Sequence, residues 1–275
     1  MPELPEVETV RRVTEPQAAG RTVLSVTVRS PQVIAYPDEK AFAASLCGRT
    51  FVRMDRRGKY LSFVFDNGDR LFLHLRMTGQ LLVTTRDDPE EKHTHLILGL
   101  SDGRQIRYID VRRFGRFWYL KSGESAAVTG IESLGPEPTD EVLTADYLKS
   151  RLGRSQRTVK EALHDQTVLA GIGNIYSAEI LFAARIFPGK KCRSLTDEEW
   201  ATLAEKIPET IAYFTEKNAV TPEEYLSGRG MEYHNTPYLQ VYGRGGKPCP
   251  VCGAALKKIS VGGRSTVFCP VCQAE

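Results

Sequence analysis

Tyr60-Leu61-Ser62-Phe63-Val64-Phe65-Asp66-Asn67-Gly68-Asp69-Arg70-Leu71-Phe72-Leu73-His74-Leu75 reads as two strands, Tyr60–Phe65 and Leu71–Leu75, joined at Asn67-Gly68. Apolar and aromatic strand formers flank a dipeptide that tolerates left-handed backbone, so a β-hairpin is the expected structure. The pattern recurs downstream, where Leu96–Leu100 and Gln105–Ile109 flank Asp102-Gly103 and Phe114–Leu120 adds a strand. Upstream, Val23–Val28 is again rich in β formers. Roughly 100 residues of such strands predict an antiparallel sandwich or barrel.

Ahead of the strands, residues 3–19 are expected to be helical. Leu4, Val7, Val10 and Val13 step around one side, and the early glutamates suit the helix's positive end. Beyond the strands, Gly135-Pro136-Glu137-Pro138 breaks the pattern, and helical stretches follow near 140–152, 156–166, 174–185 and 196–217. Pro222 and Gly228–Gly230 are read as interrupting that pattern. The fold class is therefore α+β and multidomain. The expected parts are an N-terminal β-sandwich with its helix over 1–130, a helical domain over 131–243, and a C-terminal ribbon over 244–275.

The ribbon rests on Cys249-x2-Cys252-x16-Cys269-x2-Cys272, a four-cysteine zinc spacing. Between the pairs, Ala255–Val261, Gly262-Gly263 and Arg264–Phe268 look like a hairpin. Four thiolates fill a tetrahedron, so one Zn2+ is expected, structural and without an open position for water. Two disulfides are the competing reading, which a cytoplasmic chain disfavours. Cys47 and Cys192 stand alone and read as incidental thiols.

Composition narrows the function classes. The 275 residues are 41% apolar and 26% charged, ordinary for a soluble globular protein. No apolar run approaches the roughly 20 residues of a membrane helix, and the opening Met1–Arg12 lacks the apolar core of a secretory signal. A cytoplasmic protein without membrane contact is expected. The net charge is +3, from 37 basic and 34 acidic residues, but the bases are bunched. Residues 149–160 and 243–264 carry five bases each and no acid, and 104–121 carries six against Asp110 alone. Three acid-poor runs make a polyanion a plausible partner.

Several short motifs have both a structural and a chemical reading. Pro2-Glu3 suits a helix start, yet with Met1 removed Pro2 would present a secondary amine able to form an iminium. Arg56-Arg57-Gly58-Lys59-Tyr60 is a basic turn, and Leu75-Arg76-Met77-Thr78-Gly79 sets a methionine just past a strand. Arg112–Tyr119 interleaves bases with aromatics, as a nucleic-acid surface would. Ala170-Gly171-Ile172-Gly173-Asn174 places a glycine turn before a helix, a common phosphate-binding arrangement. It lacks the third glycine and the preceding strand of a dinucleotide site, so no nucleotide cofactor is expected.

Taken in order, Pro-Glu-Leu-Pro-Glu-Val-Glu-Thr at 2–9, Gly58-Lys59-Tyr60-Leu61, Leu134–Pro138, Asp165–Glu179 and Tyr242-Gly243-Arg244 before a four-cysteine ribbon resemble the bacterial formamidopyrimidine-DNA glycosylases of the Fpg/Nei group. The resemblance covers nearly the whole chain. It implies a helix–two-turn–helix element in the helical domain and damaged double-stranded DNA as partner of a monomer. It implies excision of oxidised purines such as 8-oxoguanine and formamidopyrimidines, followed by strand cleavage at the abasic site. Pro2 would be the nucleophile, Glu3 the proton donor and acceptor, Lys59 the lysine of β-elimination and Arg264 the arginine of δ-elimination. Met77, Arg112 and Phe114 would fill the gap left by an everted nucleotide. Asn174 would contact a phosphate and His93 would be another DNA-binding position, and Arg154 and Arg157, which flank Ser155, would also bind DNA. Two positions depart from the family's usual pattern. Residues 216–221 read Glu-Lys-Asn-Ala-Val-Thr where Gly-Gly-Ser/Thr is usual, ahead of a base-gripping loop near 227–236, and Ser155 replaces a common lysine. The competing readings are an endonuclease VIII-like preference for oxidised pyrimidines and a damage-binding protein without catalysis. The presence of Pro2, Glu3 and Lys59 argues against the latter.

Overall fold

A computed structural model describes residues 1–231 and 233–274. Glu232, inside the expected 227–236 loop, and Glu275, the last ribbon residue, lie outside the described residues. In chain order the helices are α1 (Leu4–Ala18), α2 (Glu39–Leu46), α3 (Ala145–Leu152), α4 (Val159–Leu163), α5 (Asn174–Ala183), α6 (Asp197–Lys217) and α7 (Pro222–Ser227). The strands are β1 (Val23–Val28), β2 (Ile34–Tyr36), β3 (Phe51–Arg57), β4 (Tyr60–Phe65), β5 (Arg70–His74), β6 (Gly79–Thr85), β7 (Thr94–Leu100), β8 (Arg104–Asp110), β9 (Arg116–Leu120), β10 (Lys257–Val261) and β11 (Arg264–Phe268).

The chain forms two compact units. The first comprises residues 1–132 and 218–234. Its four-stranded sheet runs β1-β7-β8-β6 and its five-stranded sheet β2-β9-β5-β4-β3. Every pairing is antiparallel except β2 with β9. The sandwich core joins Leu61, Phe63, Phe65, Leu71 and Leu73 with Leu81, Leu96, Leu98 and Ile106. Leu4, Val7, Val10 and Val13 of α1 are all buried, as their spacing predicts. The Asn67-Gly68 hairpin forms as expected, with Gly68 at φ +84° and the Asp69 N–H donating to Asn67 Oδ1 at 3.1 Å.

The second unit holds residues 133–217 and the chain from Asn235 onward. Here α6 packs on α3 and α5, and β11 packs on α5. The ribbon shares a core with the helices, in which Ala178 and Phe182 meet Val241, Leu256 and Val267.

Several boundaries differ from the sequence reading. The strand expected from Phe114 begins at Arg116, because the Gly115 N–H is taken by the Asp110 carboxylate and not by a neighbouring strand. The stretch at 140–152 becomes helical only from Ala145, after the Thr144 cap, and 156–166 contracts to α4 behind a Thr158–Glu161 capping box. Pro222 starts a helix instead of interrupting one: Thr221 caps it and proline occupies its first turn. The segment 218–234, expected within a helical domain over 131–243, packs with the sandwich, since Tyr225 is buried among the core residues of the first unit.

Glu8 on α1 gathers three guanidinium groups: Arg11 Nη2 at 2.8 Å, Arg12 Nε at 2.9 Å and Arg56 Nε at 3.1 Å. Burial alone would raise this carboxyl, but hydrogen bonds from Arg11 and Arg12 and the charge of Arg56 hold it at about 2. A depressed carboxylate stabilises the fold at pH values above its ordinary 4.5, and the contribution fades as pH falls toward 2. Glu8→Gln should therefore be less stable than the parent at pH 6 and converge with it near pH 2, read by urea unfolding at both.

Candidate active site and nucleic-acid interface

The first unit presents Pro2 half-buried just ahead of α1, with Glu3 as the helix N-cap at 2% exposure. The cap is reciprocal. The Glu3 N–H donates to Glu6 Oε2 at 2.8 Å, and the Glu3 carboxylate accepts the Glu6 backbone N–H. Glu6 also accepts the Asn218 amide at 3.0 Å. The strongest helix-start signal thus also holds the candidate proton-transfer group in one place.

Lys59 occupies the two-residue turn between β3 and β4, which Arg57 and Tyr60 close as a pair. Gly58, first in the turn, has φ +55°, a conformation its missing Cβ permits. Arg56 donates from Nη1 to the Gly58 carbonyl at 3.2 Å, so the guanidinium that pairs with Glu8 also braces this turn. α1 packs on β3 and β4, the strands flanking the turn. Lys59 is only 6% exposed despite its charge. Nearby, Tyr60 stacks edge-on against His74 with centroids 4.6 Å apart and donates to the Thr129 carbonyl at 2.8 Å. Burial, helped by Arg76 and Lys59, drives the His74 imidazole down to about 3. It is neutral at pH 7, and its Nδ1 accepts the Arg76 N–H at 3.0 Å.

Two loops of the same unit carry the three expected wedge residues. Met77, between β5 and β6, is 40% exposed, and Phe114, between β8 and β9, is 46% exposed. Arg112 is also exposed, and its guanidinium lies 4.5 Å over the Phe114 ring. Exposed apolar side chains raised on loops do not contribute to the core. His93 is half-buried just before β7, its carbonyl bound to the Asp110 N–H at 3.0 Å.

In the second unit, Asn174 is the first residue of α5, whose N-cap, Gly173, has no side chain to seal the helix end. The Asn174 amide donates to the Ser265 carbonyl at 3.3 Å, tying the helix start to the residue after Arg264. The buried Lys160 donates to the Asn174 carbonyl at 3.3 Å, adding a cation behind the helix's positive end. Asn174, Tyr242, Lys258 and Ser265 line a shallow cleft there. Arg154 and Arg157 are exposed, and Arg157 pairs with Asp165 at 2.8 Å. Arg264 is exposed and opens β11 directly after Gly262-Gly263, whose φ values of +55° and +73° suit a tight hairpin.

The four cysteines fit a tetrahedral ion. Their sulfurs all lie within 4.8 Å of one another, with Cys249 and Cys272 at 3.9 Å and Cys252 and Cys269 at 3.4 Å. A regular tetrahedron with Zn–S bonds of about 2.3 Å has edges near 3.8 Å. Backbone N–H groups of Val251 and Cys272 point at Cys249 and Cys269 sulfurs, as a thiolate site requires. One structural zinc belongs here.

The sequence reading missed several residues that hold the site. Glu8 and His74 were given no role because each is one charged or polar residue within an otherwise ordinary element, and Arg56 was read only as part of a basic turn. Asp110 carried a usable signal, being the one acid in a basic run of 104–121.

Pro2-Glu3 at the start of a capped helix, a lysine buried in a β-turn, two exposed apolar side chains on adjoining loops and a four-cysteine zinc ribbon fit one class of protein, the DNA glycosylases. Comparison with known proteins gives the particular group. Residues 1–117 match the formamidopyrimidine-DNA glycosylase N-terminal domain, 134–223 its H2TH domain, and 246–274 the zinc finger found in FPG and IleRS. The formamidopyrimidine-DNA glycosylases of Pelotomaculum thermopropionicum and Bacillus subtilis are each 41% identical, over 99% and 100% of both chains respectively. The Lactococcus lactis enzyme, solved in complex with FAPY-dG-containing DNA, superposes with a TM-score of 0.91 at 36% identity, covering 99% of this chain and 100% of that one. The same enzyme in complex with abasic-site DNA gives 0.92, with the same coverage. The chain belongs to the formamidopyrimidine-DNA glycosylase family and is a DNA glycosylase.

Truncation separates wedge from core. Met77→Ala and Phe114→Ala should keep the parent's melting temperature, whereas core residues would cost roughly 2–5 kcal/mol. Excision from duplex DNA should fall in both variants. Cys269→Ser should release metal, measurable by atomic absorption, and depress both DNA binding and nicking.

Proposed function

We propose that the protein excises oxidised purines, 8-oxoguanine and formamidopyrimidines, from double-stranded DNA and then cleaves the strand at the resulting abasic site. It acts as a monomer on the bacterial chromosome, in the cytoplasm and associated with the nucleoid. The observation that carries this reading is the pairing of an N-terminal Pro2-Glu3, fixed on a capped buried helix, with Lys59 buried in the turn beside that helix's packing surface.

The chemistry follows from the residue types. A stacked base hides its sugar carbon, so the nucleotide must first leave the helix at a cost of a few kcal/mol. Met77 and Phe114 offset that cost by filling the gap, and Arg112 hydrogen-bonds the orphaned partner base. Once Met1 is removed, the Pro2 secondary amine attacks C1′. The N–C1′ bond forms, the glycosidic bond breaks, and the base leaves with its electron pair and a proton supplied through Glu3. The amine loses its proton, and the sugar ring then opens as the C1′–O4′ bond breaks and O4′ takes up a proton; the iminium so formed between Pro2 and C1′ acidifies the C2′ proton. Its removal, assigned to Lys59, expels the 3′ phosphate, and a second elimination assisted by Arg264 expels the 5′ phosphate. Water then releases the sugar fragment from Pro2. Asn174 contacts a DNA phosphate, and His93, Arg154 and Arg157 add further DNA contacts.

A preference for oxidised pyrimidines is the second reading, because the Lactococcus lactis relative has also been solved with oxidised-pyrimidine DNA. A panel of single-lesion duplexes separates the two.

Borohydride should trap a covalent protein–DNA adduct on abasic or lesion-bearing duplex, and Pro2→Gly should trap far less. While Met1 remains attached, the Pro2 nitrogen is an amide and that form should be inert. Equal trapping by the Met1-retaining protein would overturn the assignment. Binding should also weaken steeply with salt, with a log–log slope near −5 for about six phosphates contacted.

A further inference from the structure

Asp110 ends β8 with no exposed surface. Its carboxylate sits between the two loops that carry Met77 and Phe114 and accepts hydrogen bonds from both. Oδ1 takes the Thr78 hydroxyl at 2.5 Å and the Arg112 N–H at 3.1 Å. Oδ2 takes the Tyr108 hydroxyl at 3.0 Å and the Gly115 N–H at 2.9 Å. The Arg112 N–H also reaches the Thr78 hydroxyl oxygen at 3.2 Å, so the loops meet directly as well. On the main chain, the Asp110 carbonyl pairs with His95 Nε2 at 2.8 Å.

The loops need such a clamp. Arg76 and Arg113, the residues just before Met77 and Phe114, both hold φ at +56°, where side chains bearing a Cβ are disfavoured. A left-handed arginine persists only where its surroundings fix it. The Tyr108 hydroxyl fills the space between the loop ends. A Cβ on Gly115 would fall 1.7 Å from it, and one on Gly79 would fall 2.8 Å from it. Burial and the neighbouring Asp110 both hold the Tyr108 phenol strongly upward, so it remains a donor. Burial alone would raise the Asp110 carboxyl, but the Thr78, Gly115, Tyr108 and Arg112 donors draw it below its usual range.

We propose that Asp110, with Thr78, is the positioning residue of the wedge: it locks the Met77 and Phe114 loops to each other so that both tips enter the duplex as one rigid unit. The inference rests on the wedge reading given under the proposed function. Asp110 touches no reacting atom. Its part is to fix where two apolar side chains stand before DNA arrives, so that flipping does not require ordering two loops at once.

Thr78→Val, Thr78→Ser and Asp110→Asn test this against Met77→Ala and Phe114→Ala. Each is assayed in single turnover on a duplex with 8-oxoguanine paired to cytosine, and on a preformed abasic site lacking an opposite base. Thr78→Val and Asp110→Asn should lose about tenfold to a hundredfold on the paired lesion, the scale of a misplacement near 1 Å, and little on the abasic site. Thr78→Ser, which keeps the hydroxyl, should match the parent. 2-Aminopurine beside the lesion should report slower flipping in the same two variants. If Asp110→Asn fails to fold, the Thr78 pair decides the question alone. Equal losses on both substrates would mean a merely structural role and overturn the proposal. So would parental rates for Thr78→Val and Asp110→Asn while the Met77 and Phe114 variants are impaired. If those two truncations leave paired-lesion excision intact, the wedge reading itself falls, and this inference falls with it.

Discussion

Three carboxylates, Glu3, Glu6 and Glu8, lie buried within the first turns of α1. A buried charge without partners costs several kcal/mol, so the surrounding chain must answer each one. Glu3 and Glu6 answer each other's backbone N–H groups, Glu6 adds the Asn218 amide, and Glu8 draws in Arg11, Arg12 and Arg56. The partners recruited this way are themselves structural: Arg56 braces the Gly58 carbonyl, and Asn218 begins the segment that returns to the sandwich. Satisfying the acids therefore fixes both the Pro2 end of the helix and the turn that presents Lys59. The candidate catalytic groups are positioned by the requirement that no buried carboxylate be left alone.

The second unit applies the same rule once more. Glu179 on α5 is buried, which pushes its carboxyl up, while N–H groups of Gln240, Val241 and Tyr242 at 2.9, 3.1 and 2.8 Å draw it back. That carboxylate anchors the irregular segment leading into the ribbon. The ribbon itself is a two-stranded hairpin, too small to be stable by its own apolar contacts. Zinc closes one end, and Leu256, Val267 and Cys269 join the helical core at its flank. Arg264 thus stands on a platform held by metal at one end and by Asn174 along its edge.

Elements with strong periodicity were legible in the sequence. The β4–β5 and β7–β8 hairpins, the buried stripe of α1 and the cysteine ribbon each follow from local residue order. Elements defined by tertiary context were not. β3 carries Arg53, Asp55, Arg56 and Arg57 at the edge of its sheet, where charge guards against further pairing and hides the strand pattern. α7 opens with Pro222, which looks like a breaker unless the Thr221 cap before it is weighed. Within the site, Pro2, Glu3, Lys59, Met77 and Phe114 were singled out through motifs, whereas the long-range bonds of Glu8 to Arg56 and of Asp110 to Thr78 exist only in the folded chain. Sequence shows which groups can do chemistry more readily than which groups hold them still.

The departure at residues 216–221 shows how a substitution at a family position can be absorbed. Within this departing stretch, Asn218 is fully buried. Its amide donates to Glu6 and its carbonyl accepts the Thr9 hydroxyl at 3.0 Å. A glycine offers no side-chain donor to a buried carboxylate, so Asn218 adds a partner for Glu6 that glycine could not provide. The segment leading toward the 227–236 loop consequently starts from an anchored point on α1, two turns or less from Glu3. Tyr225 then returns it to the sandwich core, and Gly230, at φ +72°, packs so closely on Leu82 that a Cβ would lie 2.9 Å from it. A segment pinned at both Asn218 and Gly230 has less conformational freedom than one hinged on glycines. The departure therefore bears on how the chain after α6 is anchored, while Glu3 and Lys59 keep the places that the helix cap and the β3–β4 turn give them.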